Sequence, residues 1–226
     1  MYSAILLSGG KGKRVRKEIP KQYLLLAGKP IIMHSLERID KLSEVEEIII
    51  VCEKKYEQEI SQMAKQYMIE KPLKFVQNGE TRQESVYQGL LKTKSDNVLI
   101  HEAARPFAVL DDYRNLIKAE KSNAILGCSI PYTVLKGQKY VKDILNRAEL
   151  VNVQLPQKFI KSPLLEAHKK ARKECVKFTE DASLLFYYDK TDIEIVNGSS
   201  FNIKITEPMD LIMGEKIYYE YIARRK

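Results

Sequence analysis

Up to Ile130 the chain alternates between short apolar runs and stretches with helical spacing. Tyr2–Leu7 is a compact apolar run closed by Gly9-Gly10, the pattern of a buried strand. Pro30–Leu42 places Ile31, Ile32, Ser35, Leu36 and Ile39 on one helical face. Glu46–Cys52 is a second buried run. Tyr56–Tyr67 repeats apolar residues at helical intervals, and Leu73–Val76 is a third strand. A helix over Thr81–Leu91, a strand over Asn97–His101, a helix over Asp111–Glu120 and a strand over Asn123–Ile130 complete the series. Such an order predicts βαβ units with right-handed crossovers, hence a mostly parallel sheet between helical layers. After Pro131 the rhythm breaks. Val134–Asn146 carries a "KGQK" turn signal between extended residues and predicts a projecting hairpin. Helices are expected at Ser162–Cys175 and Asp181–Tyr188 and after Pro208, a strand at Ile193–Val196 and an extended stretch at Asn202–Thr206. The pattern predicts one domain over residues 1–226 with a β-arm at about 132–152.

In open parallel sheets, ligands bind beyond the carboxyl ends of the strands. The chemically loaded residues fall at those ends. Gly9–Lys21 follows the first strand, Gly79–Ser85 the third and His101–Arg105 the fourth, and Lys204 lies near the last.

Composition narrows the class without naming a ligand. At 44% hydrophobic and 30% charged residues, the 226-residue chain can build a core and remain in water. It has no uninterrupted apolar run long enough to span a bilayer and no secretory leader pattern. Its three cysteines, Cys52, Cys128 and Cys175, lie far apart and read as reduced packing residues. A cytoplasmic location is therefore expected. The net charge of +8 favours an anionic partner, but no long block of one sign suggests a nucleic-acid arm.

The first loop concentrates that charge. Lys11, Lys13, Arg14, Arg16, Lys17 and Lys21 follow directly behind the first strand. The loop is not a P-loop, because neither Gly9 nor Gly10 has a glycine five positions on. The dinucleotide fingerprint starts at Gly10-Lys11-Gly12 and fails at Val15. What remains is a Ser8-Gly9-Gly10 turn with Gly12, whose backbone N–H groups can approach an anion, followed by fixed cations. On charge alone, a solvated basic turn explains it equally well. Pro20 stiffens the chain before Lys21, which favours the binding reading. "NGETRQESV" (Asn78–Val86) adds a glycine, Arg82 and Ser85 at a helix start, where polar and anionic ligand edges are favoured; Thr81 and Ser85 can also serve the helix alone. "VLIHEAARPF" (Val98–Phe107) ends a strand in His101, Glu102 and Arg105. Glu102 is placed to hold a magnesium ion, directly or through water, and His101 reads as a core histidine.

Taken together, "SGGKGKR…PKQYLLLAGKPI", "NGETRQESVYQGL", "HEAARPF", "TEDAS" and "FNIKITEPMDL" resemble the cytidylyltransferases acting on 2-C-methyl-D-erythritol 4-phosphate and on ribitol 5-phosphate, in order and over nearly the whole chain. The resemblance implies a Rossmann-like three-layer α/β/α nucleotidyltransferase fold. It also implies a reaction in which CTP and an alditol phosphate give a CDP-alditol and pyrophosphate, with magnesium present. By position, Arg14 and Lys21 match the pair that grips the triphosphate and stabilises developing charge. Gly79, Glu80 and Ser85 match the segment selecting cytosine. Arg82, Glu102 and Ala103 fall in the same nucleotide-binding motifs. Thr133, Arg147 and Lys204 match residues holding the acceptor phosphate, with Arg105 beside them and Lys204 counted among the catalytic cations. In the family the arm reaches a neighbouring subunit, so a homodimer is implied.

One departure stands out. The family usually carries aspartate where this chain has Glu102, which puts the carboxylate one methylene further out. Of the two acceptors, methylerythritol phosphate fits "HEAARP" and "TEDAS" slightly better, and ribitol phosphate for a surface polymer is the alternative. A related enzyme using another sugar phosphate or nucleotide, a catalytically dead relative and a basic nucleic-acid-binding module are the other readings. The last is disfavoured by 8% aromatics with no stacking motif in the basic loop.

Overall fold

The computed structural model describes residues 1–10 and 20–224. In chain order these form β1 (Tyr2–Leu7), β2 (Leu25–Leu26), β3 (Lys29–Pro30), α1 (Ile31–Asp40), β4 (Val45–Cys52), α2 (Glu57–Gln66), β5 (Leu73–Gln77), α3 (Arg82–Lys92), β6 (Asn97–Glu102) and α4 (Leu110–Lys118). The order continues with β7 (Ala124–Ser129), β8 (Leu135–Gly137), β9 (Val141–Ile144), β10 (Val151–Ile160), α5 (Lys161–Lys173), α6 (Asp181–Asp189), β11 (Glu194–Asn197) and α7 (Pro208–Ile217).

The central sheet has seven strands in the order β11-β7-β10-β6-β1-β4-β5. All neighbours are parallel except β10, which runs antiparallel to both β6 and β7. The inner strands β1, β4 and β6 are buried on both faces, and side-chain alternation sorts their residues into two cores. Ala4, Leu6, Ile48, Ile50 and Leu99 pack with α1, α2 and α4 through Met33, Leu36, Ile60, Tyr113 and Leu116. Ile5, Leu7, Ile49, Val51 and Ile100 pack with α3, α5 and α6 through Val86, Leu90, Leu164, Ala171 and Leu185. A smaller cluster of Leu26, Ile31, Phe107 and Ile205 seats α7.

β10 corrects the sequence reading, in which no strand is assigned over 151–160. Its sequence, VNVQLPQKFI, mixes polar residues with a proline, which argues against a central strand. The proline is accommodated because the pairing with β7 is irregular between Gln154 and Gln157. The polar side chains find partners in the interior: Lys158 Nζ donates to the carbonyls of Ile117 and Ala119, at 3.3 and 3.0 Å, and Gln154 Nε2 to that of Ser199 at 2.8 Å. Asn202–Thr206, expected as an extended stretch, runs toward α7 without pairing into the sheet. The Ile205 N–H donates to the Ala104 carbonyl at 2.8 Å and its side chain fills the α7 cluster. β8 and β9 pair antiparallel as a hairpin separate from the central sheet.

All three histidines are buried, and two of them, His34 and His101, hydrogen-bond backbone carbonyls. His34 Nε2 lies 2.9 Å from the Leu26 carbonyl and His101 Nε2 lies 3.1 Å from the Arg105 carbonyl. His101 is thus the packing residue its sequence context suggests. Burial pushes His34 down to about 4 and His101 down to about 3. An unfolded histidine takes its proton near pH ~6.5, whereas these refuse it until far lower. The unfolded chain therefore binds more protons across that interval, and stability falls as pH drops from about 6.5 toward 4, by about 1.4 kcal/mol per pH unit for each histidine. The urea midpoint is expected to be clearly lower at about pH 5 than at about pH 7.5. Equal midpoints at the two values would refute the assignment.

Candidate active site

Parallel pairing brings the carboxyl ends of the strands level. Leu7 of β1 stands opposite Val51 of β4 and Glu102 of β6. Over this edge opens a cavity of about 770 Å³ lined by residues of five separated segments: Leu7–Gly10 with Lys21 and Gln22, Glu53 after β4, Gln77–Arg82 with Ser85, Glu102 with Ala104, and Lys204. A volume of this size accommodates a nucleotide-sized ligand.

The first wall is fixed locally. Gln22 Nε2 donates to the carbonyls of Ser8 and Gly10, at 2.6 and 3.1 Å, and so clamps the start of the glycine turn. Gly9 must lack a side chain because a Cβ there would lie 2.4 Å from Asn78 Cβ. Lys21 opens a short 3₁₀ turn after Pro20. It is 9% exposed, and its ammonium donates to the Ile205 carbonyl at 2.6 Å. Arg14 and Gly12, with Lys11, Lys13, Arg16 and Lys17, lie outside the described residues.

The second wall is the start of α3. The Thr81 hydroxyl accepts from the Glu84 N–H, capping the helix. Ser85 Oγ donates to the Thr81 carbonyl at 2.9 Å and accepts from the Gly79 N–H at 3.2 Å, which folds residues 79–85 into one compact turn at the cavity. Glu80 is exposed at its rim.

The floor is electrostatic. Glu102 is 7% exposed and faces two cations: Arg82 Nε donates to its Oε1 at 2.9 Å, and Lys204 Nζ lies 2.5 Å from its Oε2. Burial pushes the carboxyl up, but Lys204 and then Arg82 outweigh it and hold the group down at about 2. Behind Arg82, its Nη2 pairs with Asp181 Oδ2 at 2.7 Å, and Asp181 Oδ1 faces His168 Nε2 at 3.3 Å. Burial raises the Asp181 carboxyl, yet the Arg82 guanidinium and His168 bring it below the usual carboxylate range. Arg82, Lys204, Glu102 and Asp181 thus balance among themselves. Lys21 adds a further cation to the lining, and Glu53 and Glu80 add carboxylates.

Other residues singled out by sequence sit apart from this cavity. Ala103 is fully buried beneath it, its N–H donating to the Leu7 carbonyl at 3.0 Å, while the neighbouring Ala104 lines the wall. Arg105 Nη1 donates to the Asn202 carbonyl at 2.9 Å, supporting the segment that carries Lys204. Thr133 and Arg147 belong to the exposed arm; Arg147 lines a separate depression and donates to the Pro131 carbonyl at 3.0 Å. Among the described residues, no cluster of three or more His, Cys, Asp or Glu side chains is placed to hold a metal. Direct ligation of magnesium by Glu102 does not fit this arrangement, since both of its oxygens already face cations. Sequence reasoning missed Gln22, Asn78, His168 and Asp181. The "TEDAS" motif contains Asp181, but nothing in its local pattern says what that carboxylate faces.

Comparison with known proteins agrees with this fold. The family model described as IspD, 2-C-methyl-D-erythritol 4-phosphate cytidylyltransferase, matches residues 2–220. A 2-C-methyl-D-erythritol 4-phosphate cytidylyltransferase of Clostridium botulinum (strain Langeland) is 37% identical over 221 residues, covering 95% of this chain and 96% of the relative. One from Halalkalibacterium halodurans is 35% identical over 223 residues, covering 97% of each. The crystal structure of the 4-diphosphocytidyl-2C-methyl-D-erythritol synthase from Anaerococcus prevotii superposes with a TM-score of 0.85 at 27% identity, covering 97% of this chain and 98% of that one.

Proposed function

Because the chain belongs to the 2-C-methyl-D-erythritol 4-phosphate cytidylyltransferase family, we propose that it transfers the cytidylyl group of CTP to 2-C-methyl-D-erythritol 4-phosphate, a step toward isoprenoid precursors. An oxygen of the acceptor phosphate attacks the α-phosphorus of CTP. The bond from that phosphorus to the bridging oxygen of the β-phosphate breaks, and pyrophosphate leaves with the electron pair. Such a reaction asks the protein for alignment and charge neutralisation rather than for a covalent partner.

The observation that carries the reading is the convergence of Ser8–Gly10, Lys21, the 79–85 turn and Lys204 on one cavity at the strand ends. Its parts divide the work. The glycine turn and Lys21 take the triphosphate, with Arg14 and Gly12 of the adjoining loop. Gly79, Glu80 and Ser85 hold the nucleoside. Lys204 meets the acceptor phosphate, exchanging part of its contact with Glu102 for it. A divalent cation, magnesium by preference, would accompany CTP and neutralise part of its phosphate charge. The relatives' names favour methylerythritol phosphate over ribitol phosphate as acceptor.

The arm supports a homodimer. Its side chains Tyr132 and Ile144 are 78% and 80% exposed, an apolar surface that a second subunit would cover. In this arrangement Thr133 and Arg147 complete the acceptor site of the other subunit. The need for CTP and the three free cysteines support a cytoplasmic location.

Pyrophosphate release is the direct test. CTP with methylerythritol phosphate should turn over, with ribitol phosphate, UTP and ATP far poorer. No release with any alditol phosphate would end this reading. In the same assay Arg147→Ala should raise the acceptor KM by about tenfold to a hundredfold, the loss of one charge-assisted contact, and change the CTP KM little. A variant that loses CTP affinity alone would contradict the role of the arm.

A further inference from the structure

We infer that Asp181, buttressed by His168, is a positioning residue for the transfer: it holds Arg82 at the back of the cavity, so that Glu102 stays shared with Lys204. The inference rests on the proposed function and adds to it two residues that do not line the cavity.

The geometry is a string of polar side chains from five separate elements. His168 comes from α5, Asp181 from the first turn of α6, Arg82 from the first turn of α3, Glu102 from the end of β6 and Lys204 from the segment after Asn202. His168 and Asp181 are 0% and 1% exposed. Asp181 uses both oxygens, Oδ1 toward His168 at 3.3 Å and Oδ2 toward Arg82 at 2.7 Å. Arg82 spends Nη2 on Asp181 and Nε on Glu102, which leaves Glu102 Oε2 for Lys204.

A purely structural ion pair has no reason to end on a cavity lysine. This one does, and the balance has consequences. Without the Asp181 charge, Arg82 keeps a single anionic partner. It turns fully onto Glu102 and draws that carboxylate from Lys204, or it faces the nucleotide phosphates. In both cases the cavity gains one net positive charge while its cations lose their assigned places. Nucleotide binding then holds or tightens, and alignment suffers.

The test is steady-state pyrophosphate release by full-length Asp181→Asn and Asp181→Glu. Asp181→Asn should lower kcat by about tenfold or more with the CTP KM unchanged or lower. Asp181→Glu, which restores the charge, should recover part of kcat. A folding defect would instead reduce kcat in both variants alike, in step with a lower melting temperature. If Asp181→Asn does not fold, His168→Gln decides, with an expected fall in kcat of about threefold or more at unchanged CTP KM. Wild-type kcat in folded Asp181→Asn, or in His168→Gln where that variant decides, overturns the inference and leaves the proposed function standing. A wild-type protein that releases no pyrophosphate overturns both.

Discussion

Replacing Lys21 by methionine is expected to lower kcat by about two to three orders of magnitude, the usual cost of removing one preorganised group that stabilises transition-state charge. The expectation rests on how the lysine is held. Pro20 fixes the backbone before it, the 3₁₀ turn is short, and Gln22 beside it is tied to the Ser8 and Gly10 carbonyls. The ammonium is nearly buried and donates to the Ile205 carbonyl, one residue from Lys204. A single side chain therefore supplies charge to the cavity and anchors the strip bearing the second cation. Methionine keeps the length and the packing but supplies neither. The fold should survive, because the α7 cluster under Ile205 does not depend on the ammonium. Rates within about fivefold of wild type, at saturating CTP and acceptor, would remove Lys21 from the chemistry.

The second large effect is expected at Glu102. Glu102→Gln leaves Arg82 and Lys204 facing a neutral amide. Removing one partner of a buried ion pair costs about 3–5 kcal/mol. The lower end applies, because Lys204 is partly exposed and water screens it. For a chain of this size that is a fall in melting temperature of roughly 6–12 °C. Activity should fall with it by about a hundredfold, since Lys204 loses the group that aims it. The carboxyl is held at about 2, so the wild-type contribution is fully present above about pH 4.3 and is lost as pH falls through the folded value. The sharper variant is Glu102→Asp, the residue usual in the family. The longer side chain of this protein reaches Arg82 and Lys204 at once, at 2.9 and 2.5 Å. Shortening it by a methylene should weaken one of these contacts and lower the rate. A gain in rate would show glutamate to be a defect here rather than an adaptation.

Much of this architecture was legible before any coordinates. The alternation that sends Ala4 and Leu6 to one core and Ile5 and Leu7 to the other is a property of strand geometry. So is the rule that loops after parallel strands share one edge. Together they place Gly9, Gly79 and Glu102 near one another without a structure. β10 escaped because its local composition argues against it. Proline and four polar residues in a central strand are tolerable only when the interior supplies partners, and those partners, the carbonyls at the end of α4 and in the 199–202 segment, come from remote sequence.

The same boundary runs through the active site. The glycines at Gly9 and Gly10, and the proline that sets the chain before Lys21, are legible by themselves, because backbone freedom and fixed charge are local quantities. Thr81 caps its helix for an equally local reason. Whether Glu102 binds a metal or two cations is a different kind of question. It depends on where Arg82, Lys204 and Asp181 arrive, and these are brought together by the packing of α3, α6 and the 202–206 segment around the sheet. The sequence alone determined the layers, the edge that carries the chemistry and the sign of the charge waiting there. Only the folded chain decided which opposite charges meet, because ion pairing falls off over a few ångströms and those distances are set by contacts between residues far apart along the chain.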